Sequence, residues 1–219
     1  MMSLERKTTN LSEMDVASQT LRIVVIGGEG HVGSTICSAL PVHHEVIKVG
    51  RNSGDVRADI SNRSSIEAMY AEIGKVDAVV LAAGAVHFSP LTDFPEDKFL
   101  FNLMHKAMGQ INCVLAGLDH LNDGGSFTLT SGILDRDPIR MGSGAAAANG
   151  AIGGFVKSAA IEMPRSTRIN AVSTGLQDIS VERYGSVFPG HAPVSSDRVK
   201  YAYLKCIEGA ITGQILTID

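Results

Sequence analysis

Short apolar runs alternate along the chain with longer segments whose apolar residues recur three or four positions apart. The short runs predict strands, and the longer periodic segments predict helices. The predicted strands are residues 22–27, 45–49, 77–83, 125–131, 168–173 and 213–218. The predicted helices are residues 31–41, 62–73, 96–120, 144–163 and 196–209, with Gly74 and Gly209 where glycine often ends a helix. This alternation is typical of a parallel sheet covered by helices on both faces, so the predicted fold class is doubly wound α/β.

The segment after the second predicted strand departs from this alternation. Only Gly50 to Gly54 separate that strand from the next extended stretch, Asp55 to Asp59. A parallel crossover needs about a dozen residues, so we expect a degenerate third strand without a helix of its own. Residues 176–195 form the one long segment without clear periodicity. Residues 1–20 are polar and aperiodic, and we expect them to be disordered or derived from the expression vector.

Composition narrows the class of protein. The chain has 219 residues, a formal net charge of −4 and 44% hydrophobic residues, which suits one globular domain over residues 21–219 and gives no basic footprint for nucleic acid. Its three widely spaced cysteines favour a reducing, cytoplasmic location. No apolar run approaches the roughly 18 residues of a membrane helix, and no histidine has a second ligand one helical turn away. We therefore expect neither a membrane anchor nor a bound metal.

The first predicted strand runs directly into a glycine-rich loop. Gly28, Gly30 and Gly33 match G-x-G-x-x-G, the fingerprint of dinucleotide-binding Rossmann domains. Glycine permits the tight turn and the close approach of a pyrophosphate, and the helix that follows directs its N-terminal amides at the negative charge. The residues predicted to bind a dinucleotide here are Gly27, Gly28, Glu29, Gly30, His31, Val32 and Gly33.

Further motifs resemble those of the short-chain dehydrogenase/reductase family over residues 21–219. Residues 81–84, Leu-Ala-Ala-Gly, resemble the family's N-N-A-G after the fourth strand, and residues 173–175, Ser-Thr-Gly, resemble its S-P-G after the sixth. Asp59-Ile60 resembles the pair on the adenine side, although His31 stands where the family's middle glycine is usual. The resemblance implies an NAD(P)-binding oxidoreductase whose further cofactor residues are Asp59, Ile60, Ala82, Ala83, Gly84 and Gly175.

The end of the second predicted strand indicates which dinucleotide is bound. An acidic residue there would bind the ribose hydroxyls of NAD and repel the extra phosphate of NADP. This chain instead has Arg51, followed by Asn52 and Ser53. Because a guanidinium forms charge-assisted hydrogen bonds to phosphate, we predict that these three residues favour NADP(H) over NAD(H). The alternative is an arginine solvated in a turn.

The family's catalytic residues are mostly replaced. The resemblance implies a Tyr-x-x-x-Lys pair that donates the proton and holds the nicotinamide ribose, but Ala145 and Asn149 occupy those positions. Ser131 lies within one residue of the family's serine. Lys106 lies near the position of the family's asparagine. The chain therefore resembles an atypical subgroup that lacks the Tyr-x-x-x-Lys pair.

Two functions remain open from the sequence. The first is an NADP(H)-dependent oxidoreductase that acts on an unknown carbonyl or alcohol with a non-standard proton donor, and we favour it narrowly. The second is a non-catalytic NADP(H)-binding regulatory or assembly protein. The predicted catalytic residues are Ser131 and Lys106, and the other candidate acids are His87, His105 and Tyr184.

The family resemblance also implies a homo-oligomer, a dimer or tetramer, with contacts formed by helices 96–120 and 144–163. The small residues from Gly144 to Gly154 would allow close approach of a partner helix. They would equally suit packing within one subunit.

Overall fold

Seven strands form one parallel sheet in the computed structural model, which describes residues 19–219. Their order is β3-β2-β1-β4-β5-β6-β7, which confirms the doubly wound class. The strands are β1 (Arg22–Ile26), β2 (Glu45–Gly50), β3 (Val56–Arg57), β4 (Val76–Leu81), β5 (Leu121–Thr130), β6 (Arg168–Thr174) and β7 (Ile215–Ile218). The prediction that residues 1–20 are disordered or derived from the expression vector concerns mostly residues 1–18, which lie outside the described range.

The helices cover both faces of this sheet. They are α1 (His31–Ala39), α2 (Arg63–Ile73), α3 (Glu96–Asn102), α4 (Gly109–Gly117), α5 (Ser143–Ala159), α6 (Val181–Tyr184) and α7 (Ser196–Ile207). Residues 96–120 are helical throughout, as predicted, but a π-helical turn, Leu103–Met108, lies between α3 and α4, and a 3-10 turn follows α4. A π-turn arises from packing against neighbours and leaves little trace in apolar periodicity, and such turns often occur at functional sites.

The apolar character of β1 follows from its position in the middle of the sheet. Val24 and Ile26 belong to a core cluster with residues of α2, α4 and α5. Ile23 and Val25 belong to a second cluster, on the other face, with residues of α1 and α7. A strand covered on both faces has no polar side, and this explains the uninterrupted apolar run before the glycine loop.

The third strand is short and has no helix before it, as the short segment after the second strand predicted. β3 pairs through two residues, Val49 with Val56 and Gly50 with Arg57, and no helix precedes it. The turn between β2 and β3 is closed by Asp55, whose carboxylate accepts from the Lys48 N–H at 2.8 Å and whose own N–H donates to the Lys48 oxygen at 2.8 Å. This turn holds Arg51 at the carboxyl end of β2.

Residues 176–195 contain more regular structure than their sequence indicates. The four-residue helix α6 lies between two 3-10 turns, at residues 178–180 and 185–187. Helices this short offer too few positions for a period to be recognised. Within residues 19–219, no helix is both long and apolar enough to cross a membrane.

Candidate functional site

The glycine loop lies where the strand order reverses, between β1 and β4, the position at which doubly wound sheets bind ligands. Gly27 has a φ of +85°, and its N–H donates to the Val49 oxygen at 2.7 Å. A Cβ added at Gly27 would lie 2.8 Å from the Ala82 carbonyl, and one added at Gly33 would lie 2.0 Å from the Gly27 oxygen. Both positions therefore require glycine if the loop and α1 are to approach β4 this closely.

The N-terminus of α1 is open toward this loop. Its N-cap residue, Gly30, supplies no side-chain acceptor, and Glu29, Gly30 and His31 are exposed. The first amides of a helix have no partner within the helix, so those of α1 remain available to an anion. The other two predicted loop residues are less accessible, since Gly28 is buried and Val32 half-buried.

A cavity of about 230 Å³, here called the nucleotide cavity, adjoins the glycine loop. It is lined by Ile26, Gly27, Gly50, Arg51, Ala58, Asp59, Ile60, Ala83, Gly84, Ala85 and His105. The structure thus brings together six residues predicted from separate motifs, namely Gly27, Arg51, Asp59, Ile60, Ala83 and Gly84. Asn52, Ser53 and Ala82 do not line it.

Three charged or titratable side chains border the nucleotide cavity. The Asp59 carboxylate accepts hydrogen bonds from the Ser61 hydroxyl at 2.6 Å and the Ser61 N–H at 2.9 Å, and these bonds hold its pKa below the usual range. Arg51 and His105 lower the pKa of Asp59 further through their charge. The nucleotide cavity therefore combines an acceptor, Asp59, with a guanidinium at its border.

His105 was a candidate proton donor, but it lines the nucleotide cavity and its ring lies 4.1 Å from that of Phe101. Lys106, the next residue, lines a different cavity. Adjacent residues of a helix point in different directions, and in this structure the two side chains border different cavities.

The second cavity, here called the Lys106 cavity, has a volume of about 160 Å³. It is lined by Val86, Phe88, Lys106, Gly132, Ile133, Leu134, Ala145, Asn149, Thr174, Gly175 and Phe188. Gly84, from the border of the nucleotide cavity, packs against Lys106, and a Cβ there would lie 3.0 Å from the Lys106 Cγ. The two cavities are therefore neighbours across Gly84 and Lys106. Gly175 lies in the Lys106 cavity, apart from the other predicted cofactor residues.

Lys106 extends from the π-turn into this largely apolar cavity. Its Nζ donates to the Ser131 oxygen at 3.3 Å. Burial lowers the pKa of Lys106 to about 8, because the ammonium loses water, while the negative charge of Asp135 acts in the opposite direction. A lysine with such a pKa loses and regains its proton near neutral pH.

Ser131 has a different environment from the one expected of a catalytic serine. Its side chain is buried, its hydroxyl donates to the Asn149 backbone oxygen at 3.2 Å, and it does not line the Lys106 cavity. In this structure Ser131 connects the end of β5 to α5.

Ala145 and Asn149 occupy the wall formed by α5. Ala145 packs in an apolar cluster with Ile133 and Leu134, so a methyl group stands where the family resemblance implied a tyrosine. Asn149 is buried, and its Nδ2 donates to the Gly132 oxygen at 3.1 Å. Its Oδ1 has no hydrogen-bond partner.

The remaining candidate acids lie elsewhere. His87 is exposed, and its backbone N–H and oxygen are bound by the Asn102 side chain. Tyr184 is partly exposed, with the Arg183 guanidinium 5.0 Å from its ring centre. Neither lines the Lys106 cavity. Over residues 19–219, no three potential metal ligands are grouped closely enough to hold an ion.

The glycine loop lies at the switch point of a parallel sheet, next to a cavity bordered by an acidic and a basic side chain. This arrangement is typical of Rossmann proteins that bind a dinucleotide. A family model described as enoyl-(acyl carrier protein) reductase matches residues 39–194. The chain belongs to the short-chain dehydrogenase/reductase family. A search of curated proteins found no match.

Solved structures agree with this assignment. The protein lin1944 from Listeria innocua is 47% identical, with a TM-score of 0.89, and the match covers 90% of this chain and 99% of that one. A small-chain dehydrogenase is 27% identical, with a TM-score of 0.79 and coverage of 91% and 96%. A small-chain dehydrogenase in complex with NADPH is also 27% identical, with a TM-score of 0.80 and coverage of 91% and 97%.

Proposed function

We propose that this chain is an NADP(H)-dependent oxidoreductase of an atypical subgroup that lacks the Tyr-x-x-x-Lys pair and acts on a carbonyl or alcohol. The observation that carries the proposal is Lys106, which borders a largely apolar cavity that neighbours the nucleotide cavity across Gly84. When bound, the dinucleotide supplies or accepts a hydride.

The glycine loop fits a dinucleotide because its glycines leave no room for a Cβ and its helix amides are open. We assign residues 27–33 to the pyrophosphate and Asp59 and Ile60 to the adenosine half. Ala82, Ala83 and Gly84 flank the cofactor where β4 ends, and Gly175 meets its nicotinamide half. Arg51, with Asn52 and Ser53 beside it, favours a 2′-phosphate. The NADPH complex of a 27% identical small-chain dehydrogenase supports the choice of NADP(H).

Lys106 is the proposed proton donor. At neutral pH a group with a pKa of about 8 is mostly protonated and still gives up its proton readily. In carbonyl reduction, the carbonyl carbon receives the hydride and the carbonyl oxygen takes the proton from the Lys106 Nζ. The amine then regains a proton from solvent. Apolar walls such as Phe88 and Leu134 exclude water from the reacting atoms.

Ser131 remains part of the proposed site in a supporting role. Its hydroxyl holds the Asn149 backbone, and its own carbonyl accepts from Lys106. The Ser131→Ala variant should therefore reduce turnover by loosening the α5 wall of the Lys106 cavity, while its backbone oxygen still accepts from Lys106.

A non-catalytic NADP(H)-binding regulatory or assembly protein is the second candidate. The observation that favours it is the apolar packing of Ala145 with Ile133 and Leu134, where the family resemblance implied the proton donor. In that case the glycine loop would bind the dinucleotide, and the Lys106 cavity would carry no chemistry.

We further propose a cytoplasmic homo-oligomer that associates through α4 and α5. A cavity of about 260 Å³ lies between these helices, and it is lined by apolar side chains that include Val114, Leu115 and Phe155. Leu115 is 48% exposed, and a Cβ at Gly150 or Gly154 would meet nothing within 4 Å. Light scattering on the purified chain measures this state directly, and a monomer would contradict the proposal.

The enzymatic proposal is tested by NADPH consumption against a broad panel of aldehydes and ketones. We expect turnover by the wild type and a loss of at least about a hundredfold in Lys106→Met, the range in which a general acid contributes. Lys98→Met is the matched control, since Lys98 is exposed on α3 and pairs with Asp97. Full activity of Lys106→Met would contradict the role of Lys106. Tight NADPH binding without turnover on any carbonyl would favour the second candidate.

A further inference from the structure

The segment between β6 and α7, residues 176–195, contributes Phe188 to the wall of the Lys106 cavity. The Phe188 side chain packs against the apolar cluster of Ile133, Leu134 and Ala145, which line the same cavity. Whether this wall is complete therefore depends on where the segment lies.

Packing alone gives the middle of this segment little support. Its two ends are joined, since the Val194 N–H donates to the Leu176 oxygen at 2.8 Å. Between these ends, the side chains of Ile179 and Val187 are about half exposed. Apolar side chains that remain in water do little to hold a loop in place. The position of Phe188 therefore requires another restraint.

A tight turn fixes Phe188 relative to His191. The His191 N–H donates to the Phe188 oxygen at 3.2 Å, and Gly190 has a φ of +82°. Pro189 precedes it, and Pro-Gly at the two central positions is typical of a type II turn. The rings of Phe188 and His191 meet edge to face, with their centroids 5.3 Å apart. The turn and the ring contact thus join the two side chains into one unit.

His191 connects this unit to the segment after β5. Its Nε2 donates to the Asp137 backbone oxygen at 3.4 Å and lies 3.2 Å from the Asp137 carboxylate, and because both groups accept, Nε2 carries the hydrogen. The His191 side chain is only 9% exposed, so the contact is shielded on that side. Within the described part of the chain, it is the one hydrogen bond from residues 179–193 to a residue outside the segment.

Asp137 is itself fixed to the cavity wall. Its backbone N–H donates to the Ile133 oxygen at 2.9 Å, and Ile133 lines the Lys106 cavity. The contact between His191 and Asp137 therefore joins two parts of the wall that are distant in sequence.

We propose that this contact, here called the latch, holds Phe188 in the wall of the Lys106 cavity, and that the wall sets the largest substrate the cavity admits. With Phe188 in place the cavity measures about 160 Å³, so the substrate must present a compact, apolar end around its carbonyl group. The size limit rests on the proposed function, whereas the latch is a property of the chain that can be measured without a substrate.

The latch is tested with a reporter placed in the wall. The chain contains no tryptophan, so Phe188→Trp introduces a single fluorophore. In that background, His191→Phe removes the Nε2 donor and keeps a ring beside position 188. It should raise quenching by acrylamide about twofold to fivefold, the effect of losing one partly exposed polar contact. His191→Gln retains a side-chain N–H donor and should restore most of the protection.

The matched control is His44→Phe in the same background. The His44 side chain is also buried, with Nε2 3.4 Å from the Glu208 carboxylate, but it precedes β2 at the amino ends of the strands. Quenching should stay at the level of the Phe188→Trp protein. No increase in His191→Phe would overturn the latch, and so would an equal increase in both histidine variants.

If Phe188→Trp fails to fold, hydrogen exchange of residues 179–193 in the single variants His191→Phe and His44→Phe gives the same comparison. Faster exchange in His191→Phe alone supports the latch. Equal exchange in the two variants would overturn it.

The size limit is tested by NADPH consumption with a small aldehyde, butanal, and a bulky one, naphthaldehyde. Phe188→Ala should raise kcat/KM for naphthaldehyde relative to butanal by at least about tenfold, because it enlarges an apolar pocket. His191→Phe should change this ratio in the same direction by a smaller factor, and His44→Phe should leave it unchanged. A wild-type ratio in Phe188→Ala would overturn the size limit. A wild type without turnover on any carbonyl would overturn the proposed function and the size limit with it, while the quenching experiment still decides the latch.

Discussion

The nucleotide cavity and the Lys106 cavity lie side by side, but the chain builds them in different ways. The glycine loop owes its shape to backbone, with glycines at 27 and 33 that leave no space for a side chain. The Lys106 cavity is shaped by residues from the segments after β4 and β5, the π-turn, α5, the end of β6 and the segment after α6. The glycine loop follows from local sequence, whereas the Lys106 cavity forms only when distant segments meet.

This difference explains why the family is evident and the chemistry is not. A glycine requirement at a turn can be recognised within seven residues. A proton donor depends on which side chains reach one point from several elements, so the loss of the Tyr-x-x-x-Lys pair leaves no local signal for its replacement. The following experiments test whether the two cavities contribute separately, from the largest expected effect to the smallest.

Gly33→Ala should have the largest effect. The added Cβ would lie 2.0 Å from the Gly27 oxygen, so the loop or α1 must shift. We expect a stability loss of about 1–3 kcal/mol, as for overpacking of a core, and loss of detectable NADPH binding. Calorimetric titration and thermal unfolding measure the two effects.

The matched control is Gly150→Ala at an exposed position of α5, where a Cβ meets nothing within 4 Å. It should leave NADPH binding unchanged and stabilise the protein by about 0.5–1 kcal/mol, because alanine loses less entropy in a helix. Similar damage from both substitutions would show that the glycine loop has no special role.

Arg51→Ala should change cofactor choice without changing the fold. Arg51 is exposed and lines the nucleotide cavity, and a charged hydrogen bond to phosphate contributes about 1.5–3 kcal/mol. We expect NADPH to bind about tenfold to a hundredfold more weakly and NADH to bind as before. Arg57→Ala is the control, because Arg57 is exposed on β3 and does not line this cavity. Equal losses for NADPH and NADH would contradict recognition of the 2′-phosphate.

Lys106→Met should alter how stability depends on pH. The pKa of Lys106 is about 8 in the folded protein against 10.5 for an ordinary lysine, so below pH 8 both states are protonated and the folded state bears the full cost of the buried charge. Between these values the folded state loses its proton first, and that cost disappears. The methionine variant should thus gain about 1–3 kcal/mol over the wild type near pH 7 and less as the pH rises.

Urea unfolding at several pH values measures this difference. A stability gap that stays constant or widens between pH 8 and 10.5 would contradict the lowered pKa of Lys106.

Most of the fold could be predicted, because the spacing of apolar residues indicates which faces of each strand and helix are buried. β1 is apolar throughout because helices pack on both of its faces, and the short connection after β2 correctly implied a third strand without a helix. The π-turn at 103–108 could not be predicted, because it responds to contacts made by distant residues rather than to its own sequence.

The site was predictable to the extent that its geometry is local. Gly27, Arg51 and Asp59 were identified from separate motifs, and the structure places them around one cavity. Lys106 was one of several candidate acids, and only the fold separates it from His105 and His87. The free Oδ1 of Asn149 had no sequence signal, because its lack of a partner depends on β5, α5 and the residues between them.

The most direct test of the central claim is to titrate the wild-type chain with NADPH and NADH under the same conditions. Arg51 at the border of the nucleotide cavity and the open amides of α1 predict binding of both dinucleotides, with NADPH tighter by about tenfold to a hundredfold. Equal affinities would contradict the NADP(H) preference, and the absence of binding by either would contradict the dinucleotide site itself.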